Sequence, residues 1–344
     1  MRMLVERLWK STLYRWLAVL VVLLLLVIFF RNERLFPSYD KPGPFNPPVV
    51  PAFKCVVEQS VMPPVDVHAE AWMREVHRLN GLPWQKKRHD EAIDLLKRAS
   101  ERDYWPAMHP LAWRYMTQPT WRHSRGSALR LVRRGMHLGY PDAYYRMGLY
   151  FLEGWGVPAD RDMAYAFWQK AAYMGNPAAM AELAKVISTK QNNTIGNDLV
   201  NLPVAKQMLE CAMAQGYGDA AAILAGIIEI PKADNGTVLG PVTAETDARS
   251  QRILQDGVKL GCSKCALLLG IRFNGAWDWD DIKSNGLRAT FYMALASELE
   301  GSSTLHLPDI DKVMPLPPAT LPPVADNYRV ALDLVLGRVS VVAD

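Results

Sequence analysis

The sequence predicts an all-α chain in which helical hairpins stack in a one-dimensional array, and three observations carry that prediction. Five times the same spacing returns: a small residue, a Leu, Val or Trp four positions on, another small residue three later, usually Gly four later, and Ala or Cys after four more. The five units are Ala92-Leu96-Ala99-Asp103-Ala107, Ala128-Val132-Gly135-Gly139-Ala143, Ala164-Trp168-Ala171-Gly175-Ala179, Ala205-Leu209-Ala212-Gly216-Ala220 and Ser250-Leu254-Gly257-Gly261-Cys265. Eight residues past each central Gly or Asp stands a large apolar residue, Leu111, Met147, Leu183, Leu224 or Leu269, followed each time by Ala or Gly. Small residues three and four apart share one helix face, so each unit offers a flat strip for close helix packing. The central Gly falls where one helix ends and the chain turns, a position that favours left-handed backbone.

Taken in order, residues 1–12 form a basic segment expected in the cytoplasm, with Arg2, Arg7 and Lys10 against Glu6. Residues 13–30 are expected to form a transmembrane signal anchor. Trp16 to Phe30 carries no charge; its helical rise of about 22 Å falls short of the ~30 Å hydrocarbon core, but Leu13 and Tyr14 extend it and Arg15 and Arg31 can snorkel. A cleaved signal peptide is the competing reading, against which Phe29-Phe30-Arg31-Asn32-Glu33-Arg34 offers no small-x-small cleavage site. The charge asymmetry places the body of the chain on the far side of the membrane. Residues 31–64, rich in proline, read as an extended stalk or as a strap on the first hairpins. Residues 65–300 form the array. Asp66 caps its first helix, which closes at Asn80-Gly81. The segments Ser188–Pro203 and Pro231–Thr246 are turn-rich excursions at the edge. A last helix spans about 287–299, and residues 301–344 form a second proline-rich strap through Val313-Met314-Pro315-Leu316-Pro317-Pro318, expected to lie extended in an apolar groove.

The composition narrows the chemistry. The net charge of +4 sits mostly in the first fifteen residues, leaving a near-neutral body with no footprint for nucleic acid. Lys86-Lys87-Arg88 reads as a solvated turn. No Gly-x-Ser-x-Gly elbow, phosphate-cradling loop or His-Glu-x-x-His helix occurs, and the seven histidines lack metal-ligand spacing, so no enzyme activity, metal or cofactor is expected. Four cysteines allow three complete pairings. Cys262-x-x-Cys265 opens a helix, where redox chemistry is conceivable, but Cys265 occupies a core position, which favours a buried thiol or a local disulfide. Cys55 hints that part of the proline-rich segment is pinned.

The segment Gly148-Leu149-Tyr150-Phe151-Leu152-Glu153-Gly154-Trp155-Gly156-Val157, with Asp160, Ala164, Trp168, Lys170-Ala171-Ala172, Gly175-Asn176 and Ala179, resembles the Sel1-like repeat, a longer-looped relative of the tetratricopeptide repeat. The resemblance covers about residues 88–275 and implies a right-handed α/α superhelix that serves as an adaptor or inhibitor surface. Together with the anchor, the strap and a Met-Pro-Leu-Pro-Pro-Ala-x-Leu-Pro-Pro tail, the chain is similar to bacterial envelope immunity proteins that accompany phospholipase D-type lipase effectors of type VI secretion. Beyond that tail the chain departs from the group at Val324-Ala325-Asp326-Asn327-Tyr328. The likeness implies an inner-membrane-tethered periplasmic protein that binds and occludes a cognate effector; an envelope scaffold or signalling regulator is the alternative. Partner contacts are expected on the inner curve, six and ten residues past each turn: His109 and Trp113, Tyr145 and Leu149, Ala181 and Lys185. Trp277 and Trp279, in an alternation with Asp, are expected either at the same partner or as cover for the last hairpin.

Overall fold

All five turn residues adopt left-handed backbone, with φ of 60° at Asp103, 87° at Gly139, 101° at Gly175, 87° at Gly216 and 85° at Gly261. Around them fold the hairpins α2 (His89–Glu101) with α3 (Trp105–Thr117), α4 (Arg125–His137) with α5 (Pro141–Glu153), α6 (Arg161–Tyr173) with α7 (Pro177–Ser188), α8 (Leu202–Ala214) with α9 (Asp219–Glu229), and α10 (Ala244–Lys259) with α11 (Ser263–Ile271). Helix α1 (Val67–Asn80) precedes them, and α12 (Ile282–Glu300), α13 (Ile310–Val313) and α14 (Tyr328–Val335) follow. A computed structural model describes residues 42–45, 53–82, 88–118, 125–188, 200–234, 236–276, 282–300 and 305–339, and Pro44–Asp344 forms one compact unit. Among the described residues the fold is all-α apart from an isolated bridge between Lys232 and Val238, and no helix is long and apolar enough to cross a membrane. The basic segment, the anchor expected over 13–30, Lys86, Lys87, Trp277 and Trp279 lie outside the described residues.

The helix starts follow from local chemistry. Asp66 accepts from the amides of His68 and Ala69 at 3.0 and 2.9 Å, Asp160 from Met163 at 3.0 Å, and Thr243 forms a reciprocal capping box with Thr246. Proline stands in the first turn of α3, α5 and α8, where its missing donor costs nothing. The large residues eight past each turn, Leu111, Met147, Leu183, Leu224 and Leu269, are all buried. The small residues hold the helices at close range: a Cβ on Gly148 would sit 2.5 Å from Trp168 Nε1, and one on Gly257 2.5 Å from Cys265 Sγ and 2.6 Å from the Ala221 Cβ. Arg272, buried after α11, pairs with Glu229 of α9 at 2.8 Å and Asp247 of α10 at 3.2 Å, tying the last two hairpins together.

The described part of the proline-rich N-terminal segment from Phe53 to Glu58 docks on the third and fourth hairpins rather than the first. Cys55 is disulfide-bonded to Cys211 of α8. The Gln215 side-chain amide reads the strap backbone twice, accepting from Glu58 N at 2.8 Å and donating to Val56 O at 3.2 Å. Asn176 donates to Glu58 Oε1 at 2.9 Å, and Phe53 is buried edge-on to Tyr173. A strap with so few local contacts goes where its long-range partners stand, and those belong to α6–α8.

The C-terminal segment is likewise more than an extended strap. Residues 305–307 pass over the turn of the fifth hairpin, where Leu307 N donates to Lys259 O at 2.9 Å. It then forms α13 and α14, whose Ile310, Val313, Ala331 and Leu332 are buried. A buried polar knot holds it. Tyr292 donates from its hydroxyl to Gln255 Oε1 at 2.5 Å, Gln255 donates to Met314 O at 3.2 Å, and Arg288 donates to Pro315 O and Ala319 O at 3.0 and 2.8 Å. Helix α12 begins five residues before the expected start, at Ile282.

The same substitution is expected to act in opposite directions at two helical glycines. Gly148→Ala gains about 1 kcal/mol of helix propensity but forces a methyl into Trp168, an overpacking cost of roughly 1–3 kcal/mol, so it lowers the melting temperature. Gly226→Ala, where no atom lies within 4 Å of the added methyl, raises it by the propensity term alone. Gly175→Val loses about 2 kcal/mol or more, because it strains the left-handed turn and its Cβ would lie 2.9 Å from Glu58 N. Thermal melts of the three variants check both signs.

Candidate partner-binding face

Helices α3, α5, α7, α9 and α11 each follow a tight turn. α5 meets α7, α7 meets α9 and α9 meets α11 across an intervening helix, and among the described residues no two even-numbered helices of the array meet to that extent. Alternate helices that converge on one side curve the stack toward that side, so the odd-numbered helices line the inner face.

The structure sorts the sequence-predicted residues on this face by depth. His109 is partly buried, stacked on Trp105 with ring centroids 5.8 Å apart. Tyr145 is only 8% exposed and packs 6.4 Å from the Trp168 ring, and Ala181 is buried, so both serve the helix seam. Leu149 is partly buried. Trp113 is 47% exposed and stands 5.5 Å from Trp155, which enters from the loop after α5. Lys185 is exposed and pairs with Glu182 at 3.8 Å. Trp113, Lys185 and the edge of Leu149 are therefore the members of the set that remain accessible.

Between these positions lies a polar floor at the N-terminal ends of α5, α7 and α9. Asp142 Oδ2 accepts from Trp105 Nε1 at 2.9 Å and from Arg146 Nε at 3.3 Å, and the Arg146 guanidinium lies 5.2 Å over the Tyr145 ring. Burial pushes the Tyr145 hydroxyl up to about 12, with Glu182 adding to it, and raises Tyr217 further for the same reason, so both remain neutral donors. Burial, then the Arg146 charge, lowers His109 from 6.5 to about 4 against the opposing pull of Asp142. The imidazole is neutral at pH 7. These groups form hydrogen-bonding surface rather than a nucleophile with its base, and no cluster of three or more His, Cys, Asp or Glu among the described residues could hold a metal ion.

Sequence reasoning stopped the offset rule at the third hairpin. Extended to the fifth it finds Leu267 and Ile271, each 44% exposed, and in the fourth it gives Ala222 and Gly226, a floor of small residues between apolar ends. The exposed aliphatics Val238, Leu239 and Val242 were hidden in a segment whose composition reads as a polar turn. Cys262 and Cys265 form a disulfide and both are buried, with Cys262 Sγ accepting from Cys265 N at 2.9 Å at the start of α11. Burial keeps that pair from exchange chemistry with a substrate.

The described residues form a helical-repeat array with a curved inner face, the architecture of the helical-repeat class. A family model for the Sel1 repeat matches residues 77–104 and 141–176, the second match running through α5, its long loop and α6 to the turn at Gly175-Asn176, so the chain carries Sel1 repeats. Three solved structures from Pseudomonas aeruginosa are similar, each with a TM-score of 0.58. PA5086 is 27% identical over 78% of this chain and 96% of its own. The immunity protein Pa5087 is 26% identical over 78% and 95%. The immunity protein PA5088 is 25% identical over 81% and 100%. No curated protein matches by sequence.

The low pKa of His109 has a signed consequence for stability. Between pH 6.5 and about 4 the unfolded chain takes up a proton that the folded chain refuses. Its contribution is full above pH 6.5 and falls away toward pH 4, at no more than about 1.4 kcal/mol per pH unit. Glu58, raised by burial, acts in the opposite sense, stabilising below its ordinary value and losing that contribution as pH rises. Urea unfolding of His109→Gln at pH 7 and pH 5 is expected to show a smaller loss of stability on acidification than the wild type; an equal loss would place the imidazole in water.

Proposed function

We propose that the chain is a membrane-tethered periplasmic immunity protein that binds a phospholipase D-type effector of type VI secretion and occludes its active-site mouth. The observation that carries this reading is the likeness to two solved immunity proteins along 78–81% of this chain and nearly all of theirs. The inner face supports it, since an exposed Trp and scattered aliphatics around a hydrogen-bonding floor are the ingredients of a protein interface. The two disulfides accord with an oxidising compartment. The uncharged run from Trp16 to Phe30 and the basic residues before it supply the tether. A membrane-degrading enzyme attacks from the periplasm, and a protein held at that surface meets it there.

The test is growth. Phospholipase D-type effectors directed to the periplasm, including any encoded beside this chain, are expressed in a susceptible bacterium with and without it. Restored growth against at least one effector, with a complex recovered from purified proteins, is expected. No rescue and no complex across the panel would overturn the reading. A reporter that fluoresces only in the cytoplasm, fused after Asp344, should stay dark; a bright colony would reverse the topology.

A further inference from the structure

The array has two rims, and the chain itself covers part of one of them. On the rim of tight turns the N-terminal strap lies over Gly175, where an added Cβ would be 2.9 Å from Glu58 N and 3.0 Å from Val56 O, and the C-terminal strap lies over Gly261 in contact with Leu305 O. On the opposite rim lies the connection between α9 and α10, a built projection. Within it, Leu239 N donates to Pro231 O at 2.9 Å, Ala233 N to Thr237 O at 2.9 Å and Gly236 N to Ala233 O at 2.8 Å. Leu202 N fastens the loop to the start of α8 through Asp234 O at 3.1 Å, and Gly236, at φ 79°, closes on Val200. On this backbone Val238 is 58% exposed, Leu239 68% and Val242 40%, next to Ile230 at 37%. Aliphatic side chains held in water on a hydrogen-bonded loop contribute little to folding, and their grouping marks a contact surface.

We propose that this loop is a prong whose Val238–Leu239 tip enters an apolar recess of the effector. Resting on the reading above, that recess is the mouth through which a phospholipase admits acyl chains. An enzyme that takes a phospholipid from a bilayer needs an apolar cleft beside its polar phosphate site, and two branched aliphatic side chains on a fixed loop match such a cleft in chemistry. The backbone bonds pre-organise the tip, so little ordering is left for the moment of binding.

The experiment uses the full chain and an effector against which it protects. V238D/L239D is expected to bind at least 100-fold more weakly and to fail to restore growth, with an unchanged melting temperature. V330D, a change at another exposed aliphatic on α14, should bind as the wild type does. Soluble dihexanoyl phosphatidylcholine should compete with the wild type for the effector. If aspartates lower the melting temperature, V238S/L239S replaces them and is expected to weaken binding in the same direction. Full affinity in the folded double variant overturns the prong alone, as does absence of competition by the short-chain lipid. A wild-type dimer that V238D/L239D dissolves would assign the tip to a second copy and overturn it too. A wild type that captures no phospholipase D-type effector overturns both the prong and the reading beneath it.

Discussion

Each hairpin has to reverse direction within a few residues and still bring its helices close enough for a Trp ring or a Cβ to fill the space above a glycine. The rest of the molecule depends on that pairing of a left-handed turn with a small-residue seam. The turn sets where the second helix starts, and the seam sets how near it lies. With both fixed at the same offsets five times over, neighbouring hairpins stack in register and the odd-numbered helices converge. Asp103 shows how firmly the offset is held. It takes φ 60° without being glycine, a cost of about 1–2 kcal/mol, and the next hairpin grips it through Arg134 Nε at 2.5 Å to its carboxylate and the Tyr140 hydroxyl at 3.1 Å to its carbonyl.

A stacked array buries its interior helices on both sides but leaves its ends and rims open. This chain closes one end with α12–α14 and lays described parts of both proline-rich segments over the third and fifth tight turns. The contacts differ in kind: the N-terminal strap is held by a disulfide and by one glutamine that reads its backbone, whereas the C-terminal segment buries apolar side chains over a knot of Gln255, Tyr292 and Arg288. What remains accessible is the inner curve around Trp113 and Lys185 and the rim of longer connections. The candidate partner surface is thus defined as much by what the chain covers as by what it displays.

The periodic part of this architecture was legible because its determinants are local. A Gly at a helix end and small residues three and four apart are read from one short window, and all five turns fall where the spacing puts them. The strap's docking site was not legible, since Gln215 and Cys211 lie more than 150 residues from the backbone they hold and nothing near Cys55 names its partner. Proline-rich composition masked α14, whose Asn327 cap and buried Ala331 and Leu332 carry an ordinary helix signal. On the inner face the offsets located Tyr145 and Ala181 but not their depth, because depth depends on how near Trp168 and the adjoining helices approach. The polar loop from Pro231 concealed its aliphatics for the opposite reason: its composition signals a turn, and the turn is what displays them.

The central claim is that the terminal segments are integral parts of the array, covering its tight-turn rim at the third and fifth turns and leaving the inner curve and the opposite rim accessible. Native-state hydrogen exchange tests it most directly. The amides of Glu58 and Leu307, each donated across the rim to Gln215 and to Lys259 O, should exchange as slowly as amides within the neighbouring helices. Rapid exchange at Glu58 and Leu307 in the oxidised protein would show an open rim and contradict the account.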